Sequence, residues 1–389
     1  MKCLPLQLLM MALMVGCTSG SEYDHRNKDI FDEAKTIARP EFYLGTLDFD
    51  GGIAALRTDI ATIAQKTGDT TNNSAVVNNI SNVTDLSVGN MIMGSGTQIQ
   101  IGTVASIGVN QITMTRNATA NGTGIPLVIE RTYSGTNATI EGIVAIPQGY
   151  GVSFGTNGCT VSNGVFSQSF VILDSNGGIL IAYGLEPPLQ DASLSSSMKH
   201  ILKARNSGLA SIGDRVRLTA TRVMNYGSGA NVIPVVTDFS NLVIVSRNNR
   251  IPYSNVNAAF VRSTDLFRMR RVEGYVTSSP ISAECDSGQA REFQFDYQTG
   301  YKGIICVGAT SPTDAASCTG AKYPIGFQMS RNLGAGTLSG FDTGDMFSYT
   351  IAKDAKVRLT GPVFSPEYNQ PDTNLLIMLS QKLQVETLR

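Results

Sequence analysis

Thr139-Ile140-Glu141-Gly142-Ile143-Val144 returns later in the chain as Arg271-Val272-Glu273-Gly274-Tyr275-Val276. A pair of strand-like runs follows each copy. In the first they are Ser169-Phe170-Val171-Ile172-Leu173-Asp174 and Gly178-Ile179-Leu180-Ile181-Ala182-Tyr183-Gly184. In the second they are Glu292-Phe293-Gln294-Phe295-Asp296 and Gly303-Ile304-Ile305-Cys306-Val307-Gly308. Both copies then reach the same four letters, Val216-Arg217-Leu218-Thr219 and Val357-Arg358-Leu359-Thr360. Each closes on an apolar run, Leu242-Val243-Ile244-Val245 or Leu375-Leu376-Ile377-Met378-Leu379. Landmarks in one order, with a variable insertion between the third and the fourth, define one β-domain present twice, at residues 137–248 and 271–389, with a linker at 249–270.

Composition agrees with an all-β chain. It has 389 residues, enough for several cores, and 39 of them are glycine. Short β-branched runs alternate with Gly/Asn turns. The formal net charge of −1 lacks the basic footprint that dominates nucleic-acid affinity, and this argues against nucleic acid as a partner. With two histidines, His25 and His200, and no tryptophan, His-based catalysis has little to work with.

The first residues read as an address. Lys2 precedes an apolar run from Leu4 to Val15, too short to span a bilayer, which ends in Met14-Val15-Gly16-Cys17-Thr18. This resembles the lipobox of bacterial lipoproteins, except that Met14 stands where leucine is usual. The resemblance implies a signal peptide at 1–16, cleavage before Cys17, and acylation of Cys17, including a palmitate-type chain. Several acyl chains anchor firmly where one is marginal. Thr18 is not the aspartate of an inner-membrane retention signal, so the expected location is the outer membrane, facing the periplasm or the cell surface.

Residues 17–50 are polar and acidic, as in a tether. Ile53, Leu56, Ile60 and Ile63 fall at helical spacing, with Gly68 as a stop; one apolar stripe of under three heptads favours covering a neighbouring sheet over self-association as a short stalk. An Asn/Ser/Thr linker over 70–84 completes a helix-and-linker unit at 51–84. Next comes a small β-module at 85–136, with Ile101-Gly102-Thr103-Val104-Ala105-Ser106-Ile107 and Gln111-Ile112-Thr113-Met114-Thr115-Arg116-Asn117-Ala118-Thr119. This stretch resembles a short module of phage tail and bacterial surface proteins, which implies a structural unit without activity.

In the repeats, Gly142 and Gly274 lie inside the first strand, where a small barrel must coil sharply. A helix over Ser193–Arg205 is expected between strands three and four of the first copy. E-G-x-V, F-V-I-L-D-x-N-G-G-I-L-I and G-D-R-V-R-L-T together resemble an OB-fold, similar to OB-type domains of secreted lipoproteins and accessory regions of extracellular nucleases. The catalytic domain of those nucleases has no match in this chain. Gly213-Asp214 fits the turn of that pattern, whereas the second copy has Lys353-Asp354-Ala355-Lys356. OB barrels bind oligonucleotides and oligosaccharides across strands two and three. By position, that groove would include Phe170, Ile172, Tyr183 and Tyr226.

Cys159, Cys285, Cys306 and Cys318 remain after the leader and the anchor, and four cysteines admit three pairings. Cys306 with Cys318 closes a loop inside the second repeat and is the first choice, which leaves Cys159 with Cys285. No C-x-x-C or paired histidine suggests a metal. Asp174 and Asp296, at equivalent strand ends, read as turn caps in preference to cation ligands. Linker arginines 250, 262, 268, 270 and 271 could contact acidic glycans, lipid phosphates or nucleic acid, but with few aromatics among them they read in preference as partners for carboxylates of the flanking barrels. The chain is thus expected to be a non-enzymatic, lipid-anchored binding or adhesion module without cofactors, taking a protein or glycan ligand. A structural or assembly lipoprotein, or an accessory nucleic-acid-binding one, is the alternative.

Overall fold

A computed structural model describes residues 41–94, 102–151, 168–183, 210, 212–226, 232–277, 281–282, 301–329, 351–364, 375–379 and 384–388. The chain is all-β, and its described residues form three closed barrels, two of them OB-like and in tandem. Strand β1 (Phe42–Leu44) and helix α1 (Ile53–Ala61) come first. Six strands then form the small barrel: β2 (Lys66–Thr70), β3 (Val76–Asn78), β4 (Met91–Gly94), β5 (Gly102–Gly108), β6 (Gln111–Met114) and β7 (Gly122–Ile129). They close in the order β2-β3-β6-β5-β4-β7 around Val77, Ile92, Val104, Ile112 and Leu127. The barrel therefore begins earlier than the sequence suggested. Val77 and Ile80 supply core side chains from within the Asn/Ser/Thr stretch whose composition predicts a linker, and Gly68 lies inside β2.

The first repeat consists of β8 (Arg131–Thr132), β9 (Thr139–Gly151), β10 (Gln168–Asp174), β11 (Gly177–Tyr183), β12 (Arg215–Tyr226) and β13 (Ile233–Ser246). The linker carries β14 (Ile251–Asn255) and the short α2 (Arg262–Asp265). The second repeat consists of β15 (Met269–Val276), β16 (Ile281–Ser282), β17 (Tyr301–Val307), α3 (Pro312–Ala315), β18 (Tyr323–Met329), β19 (Lys356–Phe364), β20 (Leu376–Leu379) and β21 (Val385–Leu388). The first ring runs β9-β10-β11-β13-β12 and returns to β9. The second runs β15-β17-β18-β20-β19 and returns to β15. Numbered within each repeat, both read 1-2-3-5-4, with strands three and five parallel.

The repeated letters explain this shared topology. In each copy the glutamate of strand one stands directly opposite the arginine of strand four, Glu141 against Arg217 and Glu273 against Arg358. Their side chains pair, Arg217 Nη2 at 2.6 Å from Glu141 and Arg358 Nη2 at 3.0 Å from Glu273. The following glycine is where strand two crosses closest. A Cβ on Gly142 would lie 2.9 Å from the Leu173 carbonyl oxygen, and one on Gly274 would lie 2.8 Å from the Cys306 carbonyl carbon. Strand one must coil there to pair with strands two and four together, and only a residue without a side chain allows it.

Helix α1 stops one end of the first barrel. Ile53, Leu56 and Ile60 enter the same core as Ile140, Val144, Phe170, Ile172, Val216, Leu218 and Phe239. The stripe is the one its spacing predicted, although the helix ends at Ala61. Gly52 at the helix N-cap offers no side chain. Asp174 substitutes from the β10–β11 turn, accepting the Gly51 and Ile53 N–H groups at 3.0 and 3.1 Å. The small barrel is fixed to the first OB-like barrel through Glu130, which is buried between them. Its carboxylate accepts from Met91 N, Arg222 Nη1 and Thr237 Oγ1 at 3.2, 3.1 and 2.6 Å. Burial pushes this carboxyl above the usual carboxylate range, against the pull of those donors.

Candidate functional site

Residues directly opposite on neighbouring strands share a face, so register gives the outer surface of strands one to three in each barrel. In the first barrel it has two rows, Ile143–Leu173–Gly178 and Ile146–Val171–Leu180. In the second the equivalent rows are Tyr275–Cys306–Pro324 and Thr277–Ile304–Gly326, with Thr277 N–H donating to the Ile304 carbonyl.

The first barrel's rows are covered. Val171, Leu173 and Leu180 are 1, 4 and 1 % exposed. They belong to one apolar cluster with Leu266, Phe267, Val363 and Phe364, which joins them to the core of the second barrel. Phe267 is the key piece. A Cβ on Gly178 would lie 2.9 Å from the Phe267 Cβ and would also meet the Phe267 carbonyl oxygen. The Phe267 N–H donates to the Val363 carbonyl, and its ring packs 5.8 Å from that of Phe364. Its φ of +60° is a conformation that a bulky side chain rarely adopts. The surface that would be an OB groove is thus filled by the chain's own linker.

This placement corrects the groove expected from sequence. Phe170 and Ile172 have the opposite parity from Val171 and point into the barrel core. Tyr226 is buried in the shared apolar cluster. Tyr183 ends β11 opposite Gln168, and its side chain lies outside those described. One-residue parity decides which face a strand residue serves, and a doubly buried strand carries no alternation from which to read it. The apolar pair Leu266-Phe267 inside an arginine-rich linker was the one available signal.

The second barrel's rows differ. Ile304 is 42 % exposed, Pro324 is exposed, and Tyr275, Thr277 and Gly326 are half-buried. Cys306 is buried and bonded to Cys318, the pairing expected from sequence. That bond ties Cys318, within the 308–322 flap that joins β17 to β18, back to this face. Tyr275 Oη donates to the Thr310 carbonyl at 3.2 Å, and Lys322 Nζ pairs with Asp314 at 2.6 Å. The Lys322 ammonium holds the Asp314 carboxyl below its usual range. The flap leaves Thr277, Ile304 and Gly326 as an accessible, mostly neutral strip. Beside it, Glu273 pairs with Lys356 and Arg358, and Arg358 pairs with Glu386.

Other expected residues have structural duties. Asp174 caps α1 and its own turn, accepting the Asn176 N–H at 2.8 Å. Arg270 pairs with Asp265 at 2.7 Å, and Arg271 lies over the Tyr253 ring at 3.7 Å. Among the described residues, no three or more His, Cys, Asp or Glu side chains gather as a metal site would require. Cys17, Cys159, Cys285, Asp296, His200 and the 193–205 helix lie outside the described residues.

No family model and no curated protein matches the chain. Among solved structures it is similar to a Replication Protein A heterotrimer bound to ssDNA, at 11 % identity and a TM-score of 0.25. The match covers 63 % of this chain and 50 % of that one. That structure has ssDNA bound. OB barrels in general hold single strands by stacking and by local charge, so a net charge near zero does not set nucleic acid aside, and the sequence expectation against it is withdrawn.

Proposed function

We propose that this chain is an exported, lipid-anchored, non-catalytic binding protein of the bacterial outer envelope, with its ligand face on the second OB-like barrel. The observation that carries the reading is the strip Thr277–Ile304–Gly326, which is accessible where the first barrel's matching row is sealed. An accessible apolar side chain with hydroxyl and backbone groups beside it suits a ligand held by contact area in preference to charge. Anchoring through Cys17 rests on the lipobox-like Met14-Val15-Gly16-Cys17.

Two experiments test the two parts separately. Cys17→Ser is expected to move the protein from the membrane to the soluble fraction and to abolish palmitate labelling; unchanged partitioning would overturn the anchor. For the face, the purified chain is screened against glycan arrays, envelope protein extracts and fluorescent single-stranded oligonucleotides. Ile304→Asp is expected to weaken whichever ligand is found, while Val243→Asp, on the first barrel, is expected to leave it unchanged. Equal effects of the two substitutions would remove the site from the second barrel.

A further inference from the structure

At the tip of the β10–β11 hairpin two guanidinium groups approach the same backbone position. Arg57 comes from α1, and Arg268 from the linker just after Phe267. A Cβ on Gly177 would lie 3.2 Å from Arg57 Nη1 and 3.6 Å from Arg268 Nε. The nearby acids are held by backbone N–H groups, which leave their charge in place. Asp174 Oδ2 accepts from Gly51 and Ile53, its Oδ1 accepts from Asn176, and Asp50 Oδ1 accepts from Gly52. Arg268 Nη2 donates to the Asn176 carbonyl at 2.7 Å, which fixes the group and adds no negative charge.

Among the described residues neither arginine has an ion-pair partner, whereas Arg215, Arg217, Arg222, Arg247, Arg270 and Arg358 each have one. Burial, and then the charge of Arg268, pushes the Arg57 guanidinium below its ordinary value, with Asp174 acting in the opposite direction. Two planar forks of like charge, partly withdrawn from water, are the arrangement that a multivalent oxyanion satisfies. It offers several acceptor oxygens to several N–H donors and turns mutual repulsion into attraction.

We propose that Arg57 and Arg268 form a binding site for a tetrahedral oxyanion of the phosphate or sulfate class, over Gly177 at the joint between helix, first barrel and linker. The site is separate from the face on the second barrel. A bound anion would tie α1, the β10–β11 turn and the linker together, so it binds the native state and raises Tm with concentration.

The test is thermal unfolding of the full chain in sodium phosphate, sodium sulfate or glycerol phosphate, against chloride at matched ionic strength. A saturable rise in Tm beyond chloride is expected for wild type, with affinity about tenfold weaker in Arg57→Gln and in Arg268→Gln. Arg217→Gln, at an ion pair elsewhere, keeps the full response. In chloride alone Arg57→Gln is expected to match or exceed wild type, because it removes one of two like charges; a purely packing role for Arg57 would lower Tm there. Should either glutamine variant fail to fold, Arg57→Lys and Arg268→Lys replace it, and loss of the phosphate response with retained far-ultraviolet signal supports the site. A response to inorganic phosphate and not to glycerol phosphate assigns a free anion, and an equal response assigns a headgroup-type monoester. No saturable shift beyond chloride, or an undiminished response in both variants, overturns the proposal.

Discussion

Ile143 and Tyr275 occupy the same place, one residue after the glycine of strand one, in barrels with the same strand order. Ile143 is buried under the linker and the second barrel, while Tyr275 is half-buried and its hydroxyl reaches the flap. The rows behind them follow suit: Leu173 and Val171 are sealed, and Ile304 is accessible. The two repeats carry two copies of one surface, and one of them serves as a joint. The other stays accessible, so one strand order does not fix what a surface does.

The sharpest way to break this comparison is to shorten one side chain on each face. Leu173→Ala should cost about 2–5 kcal/mol in guanidinium unfolding, since it opens a cavity between barrels, whereas Ile304→Ala should stay within about 0.5 kcal/mol. Equal costs would mean the two rows are covered alike. The flap comes next. Replacing Cys306 and Cys318 together by alanine should cost about 2–4 kcal/mol by releasing the unfolded chain, with no matching requirement in the first barrel, whose hairpin turns tightly at Ser175 and Asn176. The glycines test the shared part. Gly142→Ala and Gly274→Ala should each cost about 1–3 kcal/mol, Gly274→Ala the more, because its new methyl would meet backbone at closer range. A silent substitution at either would show that strand one does not coil against strand two as described.

How much of this was legible depends on the kind of signal. The E-G and V-R-L-T letters, the α1 stripe and the Cys306–Cys318 pairing were readable, because each rests on a local rule of spacing or on repetition. The small barrel's early start was not, because Val77 and Ile80 are two apolar residues in a run of Asn, Ser and Thr. The face was misread at Phe170 and Ile172, since Phe170-Val171-Ile172-Leu173 is apolar at every position and both of its faces are buried. Which parity faces the partner is a tertiary fact. That Phe267 would cross to Gly178 is equally nonlocal.

The smallest expected effect concerns the seam with the small barrel, which among the described residues has no counterpart at the second barrel. Burial raises the folded-state pKa of Glu130 above its unfolded value. Its contribution is therefore fully present below the unfolded pKa and is lost as pH rises through the folded one. The stability of wild type minus that of Glu130→Gln should rise as pH falls from neutral toward the carboxylate range. A difference independent of pH, followed by chemical unfolding at several pH values, would mean that the Thr237, Arg222 and Met91 donors fully offset the burial.

Hydroxyl-radical footprinting of the native chain, read by mass spectrometry, measures the two faces in one sample without a substitution. Tyr275, Ile304 and Pro324 should oxidise readily, while Val171, Leu173 and Leu180 stay protected until denaturant unfolds the protein. Comparable oxidation of both sets in the native state, or protection of Ile304 with oxidation at Leu173, would contradict the assignment of one barrel face to the joint and the other to a ligand.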